Sequence, residues 1–313
     1  MTSPLLVVVG PTASGKTSLA CALARELGAE IVSADSQQCY RGLDAGTAKP
    51  SPEERSAAPH HLLDVAEPEE QLDAARFVQL ADAAIAEVDR RGKRVIVAGG
   101  TGLWVRALLR GLLDAPGAST GFRDQFRREL EEEGLPALHA RLALIDPDAA
   151  RAIRPNDRVR IERALEVHAL VGRRLSELQR EHAFAEERYP ALVVHLAPPR
   201  EVLQQSIARR TRALFESGAL ERETRWLIDR CERVPGARKA LKIIGYGEMA
   251  DALADRCTRE EAEERVAART RQYAKRQRTW FTKEYGAPAP AWPPDAARLC
   301  AQAAQWYEGA SRR

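Results

Sequence analysis

A parallel α/β sheet core carrying a helical insertion is the fold class that this 313-residue chain predicts, and three observations lead to it. Short continuous apolar runs, of the kind that fill a sheet covered on both faces, recur at Leu5 to Val9, Glu30 to Ser33, Arg94 to Ala98 and Ala191 to Leu196. Helical segments separate most of them, which is the order that builds crossover units of parallel strands. Between Gly111 and about Arg188 the strand-like runs cease and helical patterning alone continues.

The first strand, Leu5 to Val9, runs through a glycine-rich turn into a helix over Lys16 to Leu27, stopped by Gly28. The Glu30 and Arg94 runs are the next strands, each ending in small or polar residues where the chain turns into loops. In the insertion, helices start at Ser119 or Thr120, Pro136, Pro147, Asn156 and Ser176, with stops at Gly134 and Gly172. Beyond the fourth strand, long helical segments cover Glu201 to Cys231 and Arg259 to Lys283. The proline-rich Gly286 to Pro294 then makes a turn before a last helix. The expected organisation is a core of residues 1–110 and 190–313, which includes the C-terminal helices, with the insertion at 111–189.

Composition limits the functional classes. With 48 basic and 45 acidic residues the net charge is only +3, so any nucleic-acid surface must come from local clustering. The five cysteines form no C-x-x-C, which fits a reducing compartment and small buried side chains. The six histidines show no zinc spacing. His60 and His61 read as anchors of a loop above the site, and His195, on an apolar strand, as a core histidine with its hydrogen bonds satisfied. Leu5 to Val9 is too short to span a bilayer and follows no charged leader, so the expectation is a cytoplasmic protein with no membrane partner. A monomer is expected as well.

Gly10, Pro11, Thr12, Ala13, Ser14, Gly15, Lys16 and Thr17 satisfy G-x-x-x-x-G-K-[ST] between a strand and a helix. This is a P-loop. Its glycines let backbone N–H groups converge on phosphate oxygens at a helix N-terminus, Lys16 adds a point charge, and the Thr17 hydroxyl suits Mg2+. The core is therefore expected to be P-loop NTPase-like. Yet no N-K-x-D reads a guanine base, and the strand ending in Gly99-Gly100-Thr101-Gly102 lacks the aspartate that gives ordinary ATPases a second magnesium contact. Asp35 and Thr101 follow strand ends and so belong near the cradle. Asp35 is a candidate base and Thr101 a candidate for orienting a nucleophile or leaving group. The plain alternative is that Asp35 caps a turn and Thr101 fills a bend.

Six ordered stretches carry a family resemblance: "GPTASGKT", "SADSQQCYRGLDAGTAKP", "PHHLLDV", "GGTGLW", "RPNDRVRIERALEVHALVG" and "KRQRTWF". From Leu5 to Phe281 the chain resembles the tRNA dimethylallyltransferases, also called tRNA isopentenyltransferases. The resemblance implies transfer of a dimethylallyl group from dimethylallyl diphosphate to N6 of the adenosine 3′ of the anticodon, in tRNAs reading codons that begin with U. Diphosphate is then the leaving group of a prenyltransferase, held by Gly10 to Thr17 with Mg2+ on Thr17, and not ATP awaiting hydrolysis. The implied catalytic residues are Asp35 as base, Thr101 beside the amine, and Lys16 and Arg210 on the diphosphate. Contacts to the tRNA anticodon stem-loop are implied for Asp35, Ser36, Gln37, Gln38, Thr101, Arg123, Val159, Arg160, Ile161, Glu162 and Arg163. Lys275, Arg276 and Arg278 join them, in a segment from Arg265 to Lys283 with seven basic residues and no acid, interleaved with Tyr273, Trp280 and Phe281. Thr282 and Ser206 stand where the family commonly has arginine, and Gly247 where it has a longer or basic residue. A small-molecule kinase, or an RNA-binding protein that uses the cradle as a nucleotide sensor, would share the P-loop. The kinase leaves the basic stripe unexplained, and the sensor has no use for a base beside a leaving-group site.

Overall fold

The structure, a computed structural model, describes residues 3–113, 115, 119–286 and 292–310. Its core is a five-stranded sheet of β1 (Leu5–Val9), β2 (Ala29–Ser33), β3 (His60–His61), β4 (Arg94–Gly99) and β5 (Ala191–His195), in the order β3-β2-β4-β1-β5. Every pairing is parallel. β1 is fully buried, as a near-continuous run of valine and leucine requires when helices cover both faces.

On one face α1 (Lys16–Leu27) packs with the short α2 (Pro52–Ala57) and the C-terminal α13 (Ala296–Ala310). The other face carries α3 (Ala74–Arg90) and α4 (Gly102–Arg110), with Phe77 stacked on Trp104 at 4.4 Å between ring centroids. β3 has no counterpart in the expected strands. His60 and His61 pair with Ile31 and Val32 at the sheet edge, and a two-residue polar strand leaves no apolar pattern to read. This corrects their reading as loop anchors: the His61 imidazole lies 2.7 Å from the Glu30 carboxylate, which Arg91 also contacts at 2.6 Å.

After β5 the helices are shorter than the sequence suggests. The expected helix over Glu201 to Cys231 is two helices, α9 (Arg200–Glu216) and α10 (Ala219–Arg233), because Gly218 adopts φ 65° and ends the first. A 3-10 segment (Pro235–Lys242), α11 (Tyr246–Leu253) and α12 (Arg259–Tyr285) follow, and α9 to α12 share a hydrophobic cluster that includes Phe215, Leu220, Leu227, Tyr246 and Val266. Of the turn expected at Gly286 to Pro294, residues 287–291 lie outside the described residues.

The chain divides into two compact units, Met1–Leu109 with Arg188–Arg313, and Arg110–Glu187. The second unit contains α5 (Thr120–Ile145), α6 (Pro147–Ala152), α7 (Arg158–Val171) and α8 (Leu175–His182) around a core of Phe126, Leu138, Leu142, Ile161 and Leu165. Gly134, at φ 81°, interrupts α5, and Asp157 rather than Asn156 caps α7 by accepting the Arg160 N–H. Among the described residues no helix is long and apolar enough to cross a membrane.

Candidate active site

The P-loop joins β1 to α1, and local rules dictate its form. Gly15 takes φ 77° at the helix entrance, a conformation that glycine reaches without strain. At Gly10 a Cβ would stand 2.7 Å from the Leu196 carbonyl oxygen, so only glycine lets the loop pass β5. Ala13 packs on Leu203, Ile207 and Ala274, which places α9 and α12 directly behind the loop. The Ser14 hydroxyl is buried and has no hydrogen-bond partner among the described residues. A buried hydroxyl of this kind suits an anion supplied from outside the protein.

The strand ends converge on the loop. Gly99 must be glycine, because a Cβ would lie 2.2 Å from the Ala34 carbonyl oxygen. The Thr101 N–H donates to that same oxygen at 3.2 Å. Thr101 Oγ1 accepts the Ser36 N–H at 2.9 Å and lies 3.2 Å from Ser36 Oγ, fixing the turn after β2. In that turn Asp35 Oδ1 accepts the Gln37 N–H at 3.0 Å. Asp35 therefore does cap a turn, as its plain reading held, and its carboxylate also faces two cavities.

The larger cavity measures about 690 Å3 and is walled by Thr12, Asp35, Arg210, Tyr273 and Arg276 on its polar side, with Ile207, Ile243, Ile244 and Val266 on its apolar side. The smaller, about 20 Å3, brings together Lys16, Thr17, Asp35 and Gln38, with His60 at its wall. Arg210 reaches the P-loop from α9, donating to Thr12 Oγ1 at 3.1 Å. Burial pulls the Lys16 ammonium below its usual pKa; Asp35 opposes the shift and Arg210 adds to it. Burial also lowers Arg210, again against the pull of Asp35. Two part-buried cations beside one carboxylate favour an arriving anion, which restores the charge balance.

Gln277 carries no signal that spacing alone flags as functional, yet it is buried at the centre of this arrangement. Its Oε1 accepts the Thr12 N–H at 2.8 Å and its Nε2 donates to the Gly100 carbonyl at 2.8 Å. Tyr273, one turn earlier on α12, borders the cavity, and burial with the nearby Asp35 charge raises its phenol well above the usual value. The available clue was helical spacing: Ala274, Gln277 and Phe281 form a single buried stripe at i, i+3 and i+7.

That stripe revises the expected role of the α12 aromatics. Phe281 is fully buried in the core and offers no face to a base. Trp280 lies against Gly102, where a Cβ would come within 2.1 Å of its indole nitrogen, and Arg106 covers its ring at 4.7 Å. Lys275 and Arg276 are exposed and Arg278 is half-buried, so the basic residues keep the outer side.

Arg123, Val159, Arg160, Ile161, Glu162 and Arg163 belong to the other unit. Val159 is 74% exposed and Arg160 faces water. Ile161 is 0% exposed and fills the core of that unit, which corrects its expected place among surface contacts. Arg163 donates to Glu166 at 2.8 Å and Arg123 approaches the same buried carboxylate at 3.6 Å, while Glu162 pairs with both Arg123 and Arg158 at 3.8 Å. No group of three or more His, Cys, Asp or Glu side chains gathers as a metal site among the described residues.

Comparison with known proteins shows the family. A family model described as IPP transferase matches residues 38–284. The tRNA dimethylallyltransferase of Anaeromyxobacter dehalogenans (strain 2CP-C) is 55% identical over 294 residues, covering 93% of this chain and 97% of its own. A crystal structure of the tRNA isopentenylpyrophosphate transferase from Bacillus halodurans is 35% identical, covers 99% of this chain and 98% of its own, and superposes with a TM-score of 0.70. A eukaryotic dimethylallyltransferase described as acting on tRNA is 29% identical, with a TM-score of 0.76 over 90% of this chain and 70% of its own. The chain belongs to the IPP transferase family.

Proposed function

We propose that the protein transfers a dimethylallyl group from dimethylallyl diphosphate to N6 of the adenosine 3′-adjacent to the anticodon, in tRNAs reading codons that begin with U, and releases diphosphate. The observation that carries this reading is the single cavity in which Asp35, Arg210 and the P-loop residue Thr12 meet a wall of Ile207, Ile243, Ile244 and Val266. A charged head and a short hydrocarbon tail match those two kinds of wall.

The exocyclic amine of adenine is a weak nucleophile because its lone pair is delocalised into the ring. Asp35 accepts a proton from it as the new C–N bond forms and the C–O bond to diphosphate breaks. Thr101 holds the turn that presents Asp35. Lys16, Arg210, the Ser14 hydroxyl and the free N–H groups of the loop meet the negative charge that develops on the departing diphosphate. The Thr17 hydroxyl on the small cavity is a hard oxygen donor that fits Mg2+ completed by diphosphate oxygens and water. When bound, the ion neutralises charge on the leaving group.

Reaching the amine requires the base to leave its stack, which costs a few kcal/mol and is least in an anticodon loop. Exposed Lys275 and Arg276, together with Arg278 on α12 and Val159, Arg160, Glu162, Arg163 and Arg123 on the other unit, are the proposed tRNA contacts. Cytoplasmic action as a monomer is part of the same proposal. The test is a binding and turnover pair: with Asp35→Asn, tRNA affinity stays near that of the unaltered protein while transfer falls on the order of 10²- to 10⁴-fold. Equal losses in both would remove Asp35 from the role of base.

A further inference from the structure

We propose that Gln277 is the positioning residue that sets the P-loop for diphosphate, a role that rests on the diphosphate reading above. Its side-chain amide can satisfy its two partners in one orientation only, with oxygen toward the Thr12 N–H and nitrogen toward the Gly100 carbonyl. The two bonds tie the loop after β1 to the loop after β4 through one buried side chain. Space reinforces the bond to β4: a Cβ on Gly100 would lie 2.3 Å from Gln277 Nε2, so the glycine exists to admit the amide.

The consequence for the cradle is specific. The Thr12 N–H is used by Gln277, so the loop is held at Thr12 by a bond from α12. The Thr12 hydroxyl, on the same residue, receives Arg210. Fixing Thr12 therefore fixes both the start of the cradle and the aim of its distant arginine. Ala13, next in the chain, sits at φ 62° against Ala274 of the same helix turn as Gln277. A non-glycine residue in that region persists only where its surroundings hold it there. Without the amide of Gln277, the part-buried Thr12 N–H loses its partner and the loop is free to relax away from the geometry that receives an anion. Gln277 touches no reacting atom; it acts through Thr12 and Arg210.

Two variants test this. Gln277→Met keeps size and apolar packing but removes both hydrogen bonds. Gln277→Glu reproduces both bonds only when protonated, one oxygen accepting from Thr12 and the O–H donating to Gly100. The measurements are the inhibition constant of inorganic diphosphate, KM for dimethylallyl diphosphate, tRNA affinity and the melting temperature. Gln277→Met should weaken inorganic diphosphate on the order of 10- to 100-fold, with tRNA affinity unchanged. Gln277→Glu should recover towards the unaltered protein as pH falls, taken as a ratio at each pH. If Gln277→Met binds inorganic diphosphate as well as the unaltered protein and only melts earlier, or if Gln277→Glu shows no pH-dependent recovery, the positioning role is wrong. Absence of diphosphate binding by the unaltered protein would instead overturn the reading on which it rests.

Discussion

Lys16 sits between two opposing influences, and the balance gives its chemistry a pH signature. Burial lowers its pKa from 10.5 more than Asp35 raises it, and Arg210 adds to the lowering. Below the lowered pKa the ammonium attracts diphosphate; above it the neutral amine does not. Affinity for inorganic diphosphate should therefore fall as pH rises through a value beneath 10.5, with a proton taken up on binding there. Lys16→Met should bind weakly and lose that alkaline limb; a limb unchanged in Lys16→Met would assign it to another group. At this scale the sequence was most legible where chemistry is local. The P-loop residues are contiguous, and Asp35 and Thr101 follow strand ends. Arg210 meeting Thr12 across 198 positions in the chain was not legible from spacing and came only with the family resemblance. Gln277 stands in a stretch whose basic residues look RNA-facing, because a buried polar side chain is identified by its partners and not by its neighbours in sequence.

Helix α12 combines two tasks on opposite sides, and its sequence shows one more plainly than the other. Its basic residues stand out, while the buried stripe of Ala274, Gln277 and Phe281 is interrupted by a polar residue and so resembles a solvated face. The stripe makes the glycines after β4 intolerant of any side chain. Gly102→Ala should destabilise the protein by about 1–3 kcal/mol in denaturant unfolding, since Trp280 has to move. Phe281→Ala should cost about 3–5 kcal/mol. A value near zero for Phe281→Ala would mean that its buried ring is not held by the core around it. Other elements escaped for equally physical reasons. The break at Gly218 lies inside a run whose apolar periodicity continues on both sides, and β3 is too short and polar to show any period. The largely buried β1, β2 and β4, each several residues long, were legible because a strand covered on both faces has no polar alternation to obscure it, and the part-buried edge strand β5 showed itself by its apolar run Ala191 to Val194.

For the whole molecule, charge is nearly balanced at +3, so RNA affinity has to come from arranged residues and not from a general attraction. Replacing Lys275 and Arg276 together by alanine should weaken tRNA binding and reduce the slope of log affinity against log salt by about 1 to 2; an unchanged slope would mean that neither side chain meets a phosphate. The overall α/β architecture followed from alternating strands and helices, whereas its chemistry depended on contacts between distant segments that no local pattern encodes. The most direct measurement incubates the purified protein with an anticodon stem-loop RNA and, in parallel, full-length tRNA, with Mg2+ and radiolabelled dimethylallyl diphosphate, followed by nucleoside analysis. The expected result is label recovered as N6-dimethylallyl adenosine with release of diphosphate, lost in Asp35→Asn. No labelled nucleoside from either RNA, with ATP consumed against a small acceptor instead, would contradict the proposed transfer.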